Sequence, residues 1–259
     1  MGVVVPLPPE ELDTAVFNGV FVVEQKNKLR PIIDQRFPNS FTEKVHFKMD
    51  SIRDVRYLIR EHDLMFTVDF KDAYLHLFYK RHFWKYGAFW HLGRAKCFTG
   101  MMFGQTHAPR WWTKVMRTVM KVLRSYGIRC VIYIDDLLVF CGPDIRTATL
   151  IRNWVFSFLL NLGITINMKK SMLQPSRRVL YLGHVINSKT MTFSLAKEKL
   201  TALKKDTRKM IKAGKASAKT LARLLGKITS TVKRGQSTLL TPLGLFSATL
   251  VSISPLSST

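Results

Sequence analysis

The ten residues Val131-Ile132-Tyr133-Ile134-Asp135-Asp136-Leu137-Leu138-Val139-Phe140 decide how the rest of the chain is read. Two runs rich in Val, Ile, Tyr and Phe flank a pair of acids, the pattern of a β-hairpin whose tight turn carries both carboxylates. Strands this apolar are covered on at least one face, so the tip is held rigidly while its side chains project past the cover. Two unit charges about 4 Å apart repel by roughly 4 kcal/mol at an effective dielectric near 20, and something cationic must offset that. A divalent ion such as Mg²⁺, which takes oxygen ligands and keeps phosphate oxygens among them, meets the need. An ordinary surface hairpin with an acidic turn has the same pattern, because Asp is a favoured turn residue. The surrounding chain separates the two readings.

Upstream, the apolar run from Leu64 ends on Asp69, a third acid closing a buried strand, and Asp72 is placed to cap the turn that follows. Ser51 to His62 reads as an amphipathic helix with Ile52, Val55, Leu58 and Ile59 on one face. Gly19 to Val23 and Leu29 to Asp34 read as strands around a polar turn, with Lys26, Lys28, Arg30 and Arg36 at or beyond its tip. Pro6 to Pro9 belongs to an extended lead-in rather than core. Between Tyr79 and Phe98, aromatic residues (Phe83, Tyr86, Trp90) interleave with Lys80, Arg81, Lys85 and Arg94. That pattern suits stacked bases and phosphates, and packed core strands share it. A loop from Gly100 to Pro109 leads into a helix over Arg110 to Tyr126, with Trp112, Val115, Val119, Val122 and Leu123 inward.

Downstream, a helix is expected from Ile145 to Leu162, ending at Gly163, then a short strand Ile164 to Asn167 before Lys169-Lys170. Val179 to Ile186 reads as one strand with a central glycine. Two amphipathic helices follow Thr192, punctuated by Gly214 and Ser217, and the tail from Ser237 is expected to order poorly.

A chain of 259 residues with a net charge of +24 supports one large domain or two smaller ones and points to a polyanion, most plausibly nucleic acid, as partner. From Ile145 onward there are 20 Lys or Arg against only Glu198 and Asp206. Cys97, Cys130 and Cys141 lack C-x-x-C spacing, which argues for free thiols in a reducing compartment and against a zinc site. No apolar run approaches a membrane span, and the chain is read as intracellular, in nucleus or cytoplasm, with no membrane partner. It has no internal repeat, Walker-type loop or H-E-x-x-H.

Taken together, these segments resemble the fingers and palm of reverse transcriptases. Leu29 to Asn39 resembles the fingers motif, Phe66 to Tyr74 motif A, Phe103 to Pro109 motif B, Tyr133 to Asp136 motif C, Asn167 to Ser171 motif D, and Tyr181-Leu182-Gly183-His184 the primer grip. The flavour is that of retrotransposons, the DIRS-like group carrying a tyrosine recombinase among them. The resemblance implies an α+β right-hand polymerase, its antiparallel sheet packed on helices. It divides the chain into a lead-in (1–17), fingers (18–63 and 75–110), palm (64–74 and 111–191), a helical thumb (192–236) and a tail (237–259).

The resemblance assigns catalysis to Asp69, Asp135 and Asp136, with Lys169 or Lys170 protonating pyrophosphate, and assigns two Mg²⁺ ions, or Mn²⁺, to Asp69, Phe70, Asp135 and Asp136. The incoming dNTP would meet Arg30, Lys28, Asp72, Ala73, Tyr74, Phe103 and Gly104, with Tyr74 excluding a ribose 2′-hydroxyl. Implied partners are an RNA template, a DNA or RNA primer and dNTPs. The acids past Asp144 are too few for an RNase H carboxylate cluster, so no RNase H domain is expected. Two alternatives stay open: a decayed reverse transcriptase serving as a nucleic-acid-binding scaffold, and an RNA-dependent RNA polymerase, against which Tyr74 speaks.

Overall fold

The computed structural model describes residues 2–25 and 28–234, with residues 25, 28–31 and 229–234 by backbone alone. In chain order the elements are β1 (Val4–Pro6), β2 (Val20–Gln25), β3 (Lys28–Ile33), α1 (Arg36–Ser40), α2 (Ile52–Leu58), β4 (Met65–Asp69), β5 (Ala88–His91), β6 (Arg94–Phe98) and α3 (Ala108–Ser125). There follow β7 (Arg129–Tyr133), β8 (Asp136–Phe140), α4 (Ile145–Asn161), β9 (Met172–Ser176), β10 (Arg178–Tyr181), β11 (His184–Asn187), β12 (Thr192–Leu195), α5 (Lys197–Ala213) and α6 (Ala218–Arg234).

The acidic hairpin is the middle of an antiparallel sheet ordered β7-β8-β4-β9. Its side chains alternate, as pleating requires. Leu137 and Val139 enter a core shared with Phe66, Val68, Trp112, Met116 and Leu159, beneath α3 and α4. Leu138 and Phe140 enter a second core with Ile52, Val55, Val179 and Ile186, beneath α2 and the β10–β11 hairpin. Burying each such side chain is worth about 1.5–3 kcal/mol, and a one-residue slip would send both sets to the wrong face. That double cover holds the register Asp69↔Asp136 in place.

Several expectations are corrected. The helix after Ser51 stops at Leu58, not His62: Ser51 and Asp54 form a capping box at its start, while at its end the buried Asp63 carboxylate accepts from Arg60 N at 2.7 Å and turns the chain away. The third helix begins at Ala108, and its buried stripe runs Trp112, Met116, Val119, Met120, Leu123, leaving Val115 and Val122 exposed one step off the stripe. Ile164–Asn167 forms a single bridge, Ile166 to Phe70, rather than a strand. Val179–Ile186 is two strands, because Leu182 (φ 49°) and Gly183 (φ 75°) make the paired left-handed turn of a two-residue hairpin.

The lead-in is not outside the core, since β1 pairs with β6 and Leu7 packs on Ala88 and Cys97. Helices occupy the segment after 192 only from Lys197, once β12 has joined the β10–β11 sheet. Arg36 starts α1 and pairs with Asp34 at 2.6 Å instead of sitting near the hairpin tip. All three cysteines are buried and free. Among the described residues no helix is long and apolar enough to cross a membrane. The tail from Ser237 and Lys26 at the finger tip lie outside the described residues.

Candidate active site

Tyr133 pairs with Asp136, leaving Ile134 and Asp135 as the two turn residues. The turn therefore carries one carboxylate rather than two, and Asp136 opens β8. Ile134 holds a positive φ of 54°, uncommon for a β-branched residue. The Trp112 indole Nε1 donates to the Ile134 carbonyl at 2.7 Å and fixes that conformation. Phe70 N donates to the Asp135 carbonyl at 2.8 Å, tying the turn to the end of β4. Asp69, Asp135 and Asp136 are thus brought to one end of one sheet.

Their charges are poorly compensated. Asp69 is 8% exposed, its Oδ2 lies 3.3 Å from Lys170 Nζ, and its buried Oδ1 has no hydrogen-bond partner. Burial, then the charges of Asp135 and Asp69, push Asp136 up to about 6. Burial, with Asp69 adding to it, also raises Asp135. Burial, then the charge of Asp135, lifts the Tyr74 phenol to about 12. Of the tandem lysines, Lys170 faces the carboxylates and Lys169 forms no ion pair with them.

A groove of about 430 Å³ opens beside these groups, lined by Asp69, Asp136, Lys170, Leu182, Gly183 and Lys199. Tyr181 is buried below it and its hydroxyl donates to the Asp136 carbonyl at 3.2 Å, so the β10–β11 hairpin is fastened to the start of β8. His184 is buried at the start of β11, its Nδ1 3.3 Å from the Leu182 carbonyl. As placed, no three His, Cys, Asp or Glu side chains among the described residues stand in metal-coordinating geometry. The donor chemistry nevertheless fits a hard divalent ion: carboxylate oxygens, one of them buried and unpartnered.

Tyr74 is buried, its ring 5.0 Å from that of Phe103, and Gly104 follows with φ 98°. Ala73 is buried beside it. Asp72 does not join the groove. It takes a left-handed conformation (φ 51°), makes no side-chain cap, and lines a separate 560 Å³ cavity with His76 and Trp112. The Phe70 ring is core, edge-on to Trp112, which leaves only its backbone to serve a metal. Arg30 and Lys28 lie on β3, opposite Val23 and Gln25, and their side chains lie outside the described atoms.

Three contributors escaped sequence reasoning. Ser171 Oγ accepts from Asp69 N at 3.0 Å, Trp112 holds the turn, and Lys199 Nζ donates to the Leu182 carbonyl at 3.3 Å. Ser171 is the last residue of the stretch that resembles motif D, where only the lysines were singled out. Lys199 comes from a helix distant in sequence, with no local signal.

Residues 22–186 match the family described as Reverse transcriptase (RNA-dependent DNA polymerase). The chain belongs to the reverse transcriptase family. Protein P of duck hepatitis B virus (isolate brown Shanghai duck S5) is 37% identical over 87 residues, 33% of this chain and 11% of that protein. The isolate white Shanghai duck S31 protein is 34% identical over 87 residues, again 33% and 11%. This family member therefore matches about a tenth of the length of those viral relatives. A foamy viral protease-reverse transcriptase in complex with double-stranded DNA matches with a TM-score of 0.73 at 18% identity, over 98% of this chain and 41% of that one. The same enzyme with an RNA/DNA hybrid gives 0.69 at 20%, over 88% and 28%. At such identities these two establish the fold alone: a right-hand reverse transcriptase polymerase domain.

Proposed function

We propose that the chain is an RNA-directed DNA polymerase that extends a primer on an RNA or DNA template, taking dNTPs by two-metal phosphoryl transfer. The observation that carries this is the convergence of Asp69, Asp135 and Asp136 at one end of one sheet, beside a groove lined by Asp69 and Asp136, where burial first and then the neighbouring carboxylates raise Asp136 to about 6. Asp69 and Asp135 would hold the ions, with Asp136 beside them and the Phe70 carbonyl in reach of the same end of β4. An ion such as Mg²⁺ or Mn²⁺, if bound there, would supply activation of the primer 3′-hydroxyl and neutralisation of charge on the leaving pyrophosphate. Lys170, already against Asp69, is the proton donor to pyrophosphate. Tyr74, braced by Phe103, excludes a 2′-hydroxyl. The Leu182–Gly183 turn sets the primer terminus over the groove, and the basic α5 and α6 hold the duplex as a thumb. The duplexes bound by the foamy viral enzymes support nucleic acid as partner.

The test is extension of a DNA primer on an RNA template with Mg²⁺, dNTPs compared with rNTPs. Wild type is expected to extend with dNTPs. Asp135→Asn is expected to stop extension while salt-sensitive primer-template binding persists, since ligands act on chemistry and lysines on affinity. A wild-type chain that binds but never extends, whatever metal is supplied, would make it a nucleic-acid-binding module instead.

A further inference from the structure

The segment that carries Lys170 is anchored at its start by a histidine outside the groove. α4 ends at Asn161, Gly163 turns the chain with φ 74°, and residues 164–170 then run past the end of β4 toward the carboxylates. The Thr165 backbone is held on both sides. Its carbonyl accepts from Lys71 N at 2.8 Å, and its N–H donates to His76 Nε2 at 2.9 Å. Two residues on, Asn167 N donates to the Asp69 carbonyl at 2.8 Å, and the Asn167 carbonyl accepts from Lys170 N at 3.1 Å. A short chain of bonds therefore leads from His76 to Lys170, whose Nζ stands 3.3 Å from Asp69 Oδ2.

His76 makes this contact in only one state. A backbone N–H can only donate and a carbonyl can only accept, and the other ring nitrogen, Nδ1, lies 3.2 Å from the Ala73 carbonyl. The ring is therefore neutral, with its proton on Nδ1 and the lone pair of Nε2 turned to Thr165. Both nitrogens are engaged, so His76 has no proton to deliver. The ring lies 5.8 Å from Trp112, whose indole fixes the Ile134 carbonyl in the Asp135 turn. Ile164 is buried, yet Thr165 is exposed and borders the cavity of about 560 Å³ that it shares with His76 and Trp112, so side-chain packing does not fix the Thr165 peptide. The charged groups around that cavity are Lys71 and Asp72.

We propose that His76 is a positioning residue for the proton transfer assigned to Lys170: by fixing the Thr165 peptide it sets the turn that points Lys170, rather than Lys169, into the groove. The inference rests on the polymerase reading and adds to it a residue that lies outside the groove lining. A lysine on a four-carbon stem delivers its proton well only from a fixed backbone, since misplacement by about 1 Å can cost about 10²-fold in rate.

The test compares two amides at position 76. Gln places its oxygen where Nε2 stands and keeps an acceptor for Thr165, whereas Asn reaches only the Nδ1 position and keeps the Ala73 contact alone. In single-turnover extension of a DNA primer on an RNA template, His76→Asn is expected to be about tenfold slower at saturating dNTP, with the half-saturating dNTP concentration changed by less than about twofold. His76→Gln is expected to stay within about twofold of wild type in both. In a Lys170→Ala background His76→Asn is expected to add no further slowing. With no nucleic acid or nucleotide present, amide exchange at Thr165, followed by NMR, is expected to run about tenfold faster in His76→Asn than in His76→Gln. Equal extension or exchange rates in the two variants overturn the inference, as does a full further loss in the Lys170→Ala background. So does loss of the cooperative melt in His76→Asn with His76→Gln intact, which would assign His76 to stability alone. A wild type that never extends overturns the polymerase reading itself, and an extending wild type with indifferent His76 variants overturns this inference alone.

Discussion

The two ends of the acidic hairpin treat buried charge in opposite ways. At the end away from the turn, Asp63 is 1% exposed and fully partnered. Arg129 grips both its oxygens at 2.7 Å, and Arg60 N and Gly142 N donate to it at 2.7 and 3.1 Å. At the turn, Asp69 pairs with Lys170 at 3.3 Å, Asp135 and Asp136 form no ion pair among the described residues, and one buried Asp69 oxygen has no partner. One sheet thus has a satisfied end that maintains the fold and an unsatisfied end that is short of cations. The contrast sets an acid whose partners maintain the fold against acids left short of partners, without reference to family.

The largest test of that contrast is Asp135→Asn, expected to lower the primer-extension rate by about 10³-fold or more in single-turnover kinetics while folding is intact, as several kcal/mol of charge stabilisation is lost. At the opposite end Arg129→Met is expected to cost about 3–5 kcal/mol, by stranding the Asp63 charge, and to appear as a Tm drop on the order of 10 °C in calorimetry. Lys170→Ala is expected to slow extension by about 10²-fold, with Lys169→Ala affecting it far less in the same assay. If the two lysine variants are equally slow, the 3.3 Å pairing does not select the proton donor.

The smallest effect is on stability and has the opposite sign. The Asp136 carboxyl is raised from 3.8 to about 6, so the folded state binds its proton more tightly than the unfolded state. Stability should therefore fall as pH rises from about 4 to 6, and the deficit should be full above that window. Asp136→Asn removes it. Its melting temperature is expected to exceed wild type by a few degrees at pH 7, about 1–2 kcal/mol after allowing for partial exposure, and to match it near pH 4. Equal melting temperatures at both pH values would show that the turn is not electrostatically strained.

The strands of the candidate site were legible because their pattern is local: runs of β-branched and aromatic residues bordered by acids at Asp69 and at Asp135-Asp136. What was hidden was non-local. Nothing near Leu58 announces that Asp63 will end a helix by capturing Arg129, a residue from another strand. The turn at Leu182-Gly183 was masked by apolar residues on both sides, and only the backbone reveals that Leu182 accepts a positive φ. Lys170 could not be separated from Lys169 by spacing, because facing is set by the bridge between Ile166 and Phe70.

The Trp112 indole grips the carbonyl of Ile134 from within α3, the helix that starts where the Phe103–His107 loop ends. The loop and the Asp135 turn are therefore two points on a single lever. If the chain copies a template as proposed, a strand that shifts the loop would tilt the helix and move the carboxylate, coupling the position of that strand to the placement of the proposed metal ligands.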